Sequence, residues 1–206
     1  MNTHPPFVIP EGFPQVLPPT SVSNKFLNSL RYTDHTLESF FKLARTRSYF
    51  KDTIFIFLAD HARTGDKLNL ANQHHIPLLL YAPGYVAPGV NSVVGNQVDL
   101  LPTILSLLHL KATHASWGRN LLELGKDQGF AVCISGSEAR WHDGRYLLND
   151  SLTDDRPPFL FDLVKDPDCT TDLWQEREKE GEVLRSRLRA YISLSQTMLH
   201  QNRVYP

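Results

Sequence analysis

Asp60 and His61 are adjacent in this chain, and they offer a carboxylate oxygen and an imidazole nitrogen side by side. That donor set suits a divalent cation of intermediate hardness, such as manganese or zinc. Two ligands do not complete a coordination shell, so the pair predicts part of a metal centre. Spacing alone leaves a second reading open, in which Asp60 caps the following turn and His61 fills a polar niche. His4 is a further candidate: it stands between Thr3 and the Pro5-Pro6 pair, an imidazole on a stiff backbone. A solvated histidine near the chain start is the plain alternative there.

The stretch that must position Asp60 and His61 is TIFIFLA, residues 53–59. Its apolar run from Ile54 to Ala59 is far too short for a membrane span and lacks the alternation of a half-wet strand. It predicts a strand buried on both faces, as in a parallel sheet covered by helices. In open α/β sheets ligand-binding groups gather beyond the carboxyl ends of strands, which is where Asp60 and His61 fall.

With 206 residues, the chain is long enough for one domain with a sizeable core. Lys and Arg number 21 against 22 Asp and Glu, a formal net charge of -1, and no basic tract occurs, so no general attraction to nucleic acid is expected. Cys133 and Cys169 are too few for a disulfide framework and form no CxxC. Cys133, inside AVCIS, reads as a buried, inert thiol. No apolar stretch reaches the roughly 18 residues of a transmembrane helix. The opening MNTHPPFVIP has neither a basic n-region nor an apolar h-region, so no secretory signal is expected in it.

Along the chain, the prolines at 5, 6, 10, 14, 18 and 19 favour an extended surface segment that its neighbours must hold. From Asn24 to Arg47, Leu27, Leu30, Leu37, Phe40, Phe41 and Ala44 recur at helical spacing, with an interruption at Tyr32 and Asp34 that predicts a register break or kink. A polar loop ending in His74 and His75 follows the strand, with His75 read as loop packing. Ile76–Gly84 predicts a second buried strand and Asn91–Gly95 a short one. Asp99 caps a helix over LLPTILSLLHL whose Pro102 lies in the first turn. After a connector over 113–129 come a strand at Phe130–Ser135 and a hairpin signal at Asp143-Gly144, with Phe159–Val164 as its pairing partner. A long final helix is expected from Thr171 to Gln201, with Gly181 a weak point. The fold class is therefore α/β, with a small antiparallel addition after residue 130.

Taken together, DTIFIFLADH, HIPLLLYAPG and VVGNQVDLLPTILSLL resemble the C-terminal half of a sulfatase-like catalytic domain of the alkaline phosphatase superfamily. The nearest branch is that of lipoteichoic acid synthase and the periplasmic phosphoglycerol transferases. THPPFVIPEGF, RYTDHTLESFF, WGRNLL and LFDLVKDP extend the likeness over nearly the whole chain. The resemblance implies a partial alkaline-phosphatase-like sheet flanked by helices, with residues 1–23 an extended active-site segment, 24–129 the α/β core, and 130–206 the antiparallel strands and C-terminal helix. It implies that Asp60 and His61 are metal ligands, with manganese the commonest cation and zinc or calcium the alternatives. His4 would then contact the anionic group of a phosphate- or sulfate-ester substrate.

The implied activity is phosphoglycerol transfer to a cell-envelope glycan or lipid, on the periplasmic or extracytoplasmic face of a bacterial inner membrane. The alternatives are an arylsulfatase-type hydrolase and a remnant without turnover. In the family an earlier half of the domain supplies the nucleophile, a threonine or a modified cysteine or serine, together with further acidic ligands. Nothing of that kind precedes His4, so the chain is expected to carry half of an active site.

Overall fold

A computed structural model of the chain describes residues 2–62, 69–125 and 128–203. Of the polar loop expected after His61, residues 63–68 lie outside this description, as do 126–127 of the connector and the end of the QNRVYP segment. The described residues form two compact units, one within residues 2–57 and 79–87 and the other within 58–62, 69–78, 88–125 and 128–203.

The first unit is built on helix α1, Val22–Ala44. Ser21 starts it, its hydroxyl accepting the Asn24 N–H at 3.1 Å. The expected register break or kink at Tyr32 and Asp34 is absent: the helix runs unbroken through both, with Tyr32 half-buried against Phe13 and Asp34 exposed. Asn28, buried on α1, holds the proline-rich segment by accepting the Leu17 N–H at 3.1 Å and donating to the Leu17 carbonyl at 2.8 Å. Phe7 and Phe13 lay their rings against Phe26 and Tyr32, at 5.8 and 5.1 Å between centroids.

Strand β1 is Phe55–Leu58 and pairs with β2, Leu78–Tyr81. Phe41 of α1 meets Phe55 and Tyr81 edge-on at 5.2 and 5.5 Å. Only Phe55 of β1 is buried and Leu58 is exposed, so the double-sided burial expected for this strand is not reached: a two-stranded sheet with one helix covers one face. The expected strand at Asn91–Gly95 forms no ladder among the described residues.

In the second unit, a 3-10 turn at Gln97–Asp99 leads into α2, Leu100–Leu107. Strands β3 (Ala131–Ser135), β4 (Glu138–His142), β5 (Tyr146–Ser151) and β6 (Phe159–Asp162) form an antiparallel sheet in sequential order. The Asp143-Gly144 signal marks the β4–β5 turn: Asp143 Oδ1 accepts the Arg145 and Tyr146 N–H groups, and Gly144 takes a left-handed φ of 92°.

Helix α3, Glu178–His200, lies on this sheet. Trp141, Leu148, Leu160, Trp174, Leu184, Leu188 and Ile192 form the buried cluster between them. The helix starts seven residues later than expected because Thr171–Arg177 is spent on turns that seat Trp174. Gly181 is no weak point. A Cβ there would come within 2.5 Å of the Trp174 ring, so the glycine admits the indole. Buried Asp150 on β5 anchors the helix, its Oδ2 accepting from Arg189 Nε at 2.9 Å and Arg185 Nε at 3.1 Å.

Candidate functional site

Strand β1 ends at Leu58, and the next three residues carry the chemistry outward. Asp60 Oδ1 accepts the His61 backbone N–H at 3.0 Å, which turns the chain, and among the described residues Oδ2 takes no hydrogen bond. The His61 ring places Nδ1 2.8 Å from the Ala62 carbonyl. A carbonyl only accepts, so the proton sits on Nδ1, and Nε2 keeps its lone pair. That Nε2 lies 3.8 Å from Asp60 Oδ2.

Both side chains are well exposed, at 79% for Asp60 and 66% for His61, so the two free donor atoms face solvent. Two donors each about 2.1 Å from a common cation are at most ~4.2 Å apart, so this pair fits one divalent ion. Among the described residues, no group of three or more His, Cys, Asp or Glu side chains gathers as a complete cage.

His4 belongs to the first unit. It is exposed, its carbonyl accepts the Phe7 N–H at 2.8 Å, and its Nδ1 lies 2.9 Å from the Pro5 carbonyl. By the same reasoning as for His61, its Nε2 is the atom presented outward. Asp60 and His61 are thus brought together by the strand end, and His4 is held by its own turn. A groove of about 360 Å³ along α1, lined by Phe13, Pro14, Arg31, Asp34, His35 and Glu38, contains none of the three. Donor chemistry, not concavity, marks the site.

Asp99 differs from its expected role. It makes no side-chain cap to α2. Its carboxylate is buried and instead reaches back to the Asn96 N–H at 2.8 Å, completing a capping box for the 3-10 turn. It also receives Arg119: the backbone N–H at 2.7 Å, Nε at 3.2 Å and Nη2 at 2.8 Å. Arg119 lies 3.7 Å over the Phe130 ring, which stacks on Trp141 at 4.2 Å. Sequence reasoning missed Arg119, although the Asn96-x-x-Asp99 spacing is a capping-box signal that points away from a ligand role.

His75 sits close enough to half-buried His142 to depress its proton affinity, while burial is the larger cause. Cys133, expected to be buried, is half-buried, and that burial raises its thiol above its ordinary value.

Residues 1–110, just over half of the chain, match the family model described as Sulfatase. This chain belongs to the sulfatase family. The lipoteichoic acid synthase-like protein YvgJ of Bacillus subtilis (strain 168) is 24% identical over 133 residues, 55% of this chain and 21% of that protein. Lipoteichoic acid synthase 1 of the same organism is 25% identical over 125 residues, 52% and 19% of the two chains. This sulfatase-family chain spans about a fifth of the length of those curated relatives.

A solved structure of an alkaline phosphatase superfamily protein from Vibrio parahaemolyticus superposes with a TM-score of 0.66 at 24% identity, covering 89% of this chain and 48% of that one. The chain is thus a sulfatase-like domain near the lipoteichoic acid synthase branch, with an α/β fold of the alkaline phosphatase type. Sulfatase-superfamily enzymes generally depend on a divalent metal and act on anionic sulfate or phosphate esters. Among the described residues no helix is long and apolar enough to cross a membrane.

Proposed function

We propose that this chain is the C-terminal, metal-holding portion of a sulfatase-like transferase that moves phosphoglycerol onto a cell-envelope glycan or lipid at the extracytoplasmic face of a membrane. The observation that carries the proposal is the donor pair itself: Asp60 Oδ2 and His61 Nε2, 3.8 Å apart and without a hydrogen bond among the described residues, with the imidazole tautomer set by Ala62. The curated relatives favour phosphoryl over sulfuryl chemistry, since both are lipoteichoic acid synthases or alike in name.

In this reading Asp60 and His61 hold a divalent cation, of which manganese is the first candidate. Such a cation, when bound, supplies Lewis-acid polarisation of an ester oxygen and neutralises charge on the transferring group. Asp60 contributes the one formal negative charge of the pair, and His61 a neutral nitrogen. His4, with its Nε2 directed outward, donates from that atom to an anionic substrate oxygen when protonated. The nucleophile and the remaining ligands belong to another part of the domain, so turnover requires that part.

Manganese titration of this chain, followed by paramagnetic broadening of its histidine ring signals, tests the reading. Binding is expected to be weak, with His61 broadened first and the broadening lost in Asp60→Asn and His61→Ala. His4→Ala is expected to leave it unchanged. Broadening that is indifferent to Asp60→Asn and His61→Ala overturns the metal assignment, and its loss in His4→Ala overturns the separate role given to His4.

A further inference from the structure

We propose that Gln97 is a positioning residue for the Asp60-His61 pair, holding the Asp60 backbone from a turn locked by the buried Asp99–Arg119 clamp. The proposal rests on the reading of Asp60 and His61 as metal ligands. Once β1 ends at Leu58, no ladder partner among the described residues fixes the carbonyls of Ala59 and Asp60. The Gln97 carboxamide does so. Its Nε2 donates to Asp60 O at 3.1 Å and to Ala59 O at 3.3 Å, one proton for each carbonyl. A metal-binding pair this exposed keeps its geometry only if its backbone is held, since ordering it at the moment of binding costs affinity.

A long exposed side chain grips well only from a rigid base, and the turn bearing Gln97 is fastened at every neighbouring position. Asn96 is closed by the Asp99 carboxylate. The Val98 carbonyl accepts from Ser116 Oγ at 3.1 Å, and Gly118 packs so closely that a Cβ there would fall 1.9 Å from that oxygen. At Gly95 a Cβ would come within 2.6 Å of Leu121. The Asp99 carbonyl accepts from Thr103 Oγ1 at 2.6 Å. Gln97 is the residue of this turn that remains exposed, and its polar end is spent on the backbone of the site. The NQVD segment therefore ties the entrance of α2, through the Arg119 clamp, to the exit of β1.

The test uses the 206-residue chain, nitrogen-15 labelled, with manganese alone as the probe. Gln97→Met keeps the length of the side chain and removes both donors. Backbone order parameters at Asp60 and His61 are expected to fall from the rigid range, about 0.85, towards 0.6. Manganese affinity should weaken by about tenfold, the scale of losing a partner that orients a ligand. The midpoint of thermal unfolding should stay unchanged because Gln97 is exposed.

Gln97→Lys, which restores a donor, should recover the order parameters. Order at Asp60 and His61 that is the same in Gln97→Met as in the parent overturns the proposal. An affinity loss accompanied by an equal loss of thermal stability does so too. The metal reading beneath it fails separately, if Asp60→Asn leaves manganese broadening intact, and the order parameters still report whether Gln97 holds the strand exit.

Discussion

The α1 unit and the sheet that carries α3 are both rich in apolar side chains, and they dispose of them differently. In the first, Leu27, Leu30, Leu37, Phe40 and Leu43 of α1 and Leu79 of β2 all stay more than a third exposed, and Ala44, Phe55 and Ala82 are the buried apolar residues among those described. In the second, Ala139, Leu148, Leu160 and Leu188 are sealed at 0% exposure by four strands and a 23-residue helix. The difference follows from layer count. Two four-residue strands give α1 too little surface to bury its stripe, whereas β3–β6 and α3 close a core on their own. The Asp60-His61 pair follows the end of the less covered sheet, so its order depends on local fastening more than on a surrounding core.

The sharpest way to break this comparison is to remove a buried charge. Arg119→Ala strands the Asp99 carboxylate, which is 1% exposed, without its guanidinium partner. Taking one member of a buried ion pair costs about 3–5 kcal/mol. Lys42→Ala, which opens the solvent-exposed pair with Glu38 on α1, should cost far less. Urea unfolding of the two variants measures the contrast. Equal effects would mean that the Arg119 clamp is not the fastening it is taken to be.

A smaller contrast lies in the apolar residues. Leu188→Ala empties a site of 0% exposure and should lower stability by roughly 2–5 kcal/mol, while Leu37→Ala, at 37% exposure, should cost under ~1 kcal/mol. If Leu37→Ala proves as costly as Leu188→Ala, the α1 face is covered in solution, and the contrast between the units belongs to this chain taken alone.

What the sequence made legible divides along the same line. The periodic runs of α1 and α3, the Asp143-Gly144 turn and the strand ending in Asp60-His61 were readable because each is a local pattern. Three things were not. Gly181 reads as a helix defect until Trp174 is known to need its space, and that contact comes from folding the 171–177 turns back. Asn91–Gly95 has the composition of a strand and lacks only a partner. Asp99 looks like an ordinary N-cap, and its true partner, Arg119, is 20 residues away in a connector with no periodicity. Asp60 and His61 were legible as donors. Gln97, which donates to the Ala59 and Asp60 carbonyls, carries no signal of its own type or spacing.

The last and smallest effect is one of pH, and it concerns the closed sheet. His142, at the end of β4, has its proton affinity lowered by burial first and by His75 in addition, against the opposing pull of Asp143. Its Nδ1 accepts the Gly144 N–H at 3.1 Å, so protonation there removes a turn hydrogen bond as well as burying a charge. His74 is lowered in the same direction, by burial and then by Arg140. For both, the unfolded chain binds the proton more readily than the folded one. Their contribution is fully present above the unfolded value near 6.5 and is lost as pH falls through the lower folded values.

Asp166 acts in a separate, more acidic window, because the Thr170 and Thr171 N–H groups lower it from 3.8. A urea midpoint series from pH 8 to pH 5 should therefore decline below about 6.5 before the carboxylates enter. His142→Gln should flatten part of that decline, leaving the share due to His74. An unchanged slope in His142→Gln would show that the β4–β5 turn keeps its hydrogen bond whatever the charge on the ring. The acid sensitivity would then rest with His74.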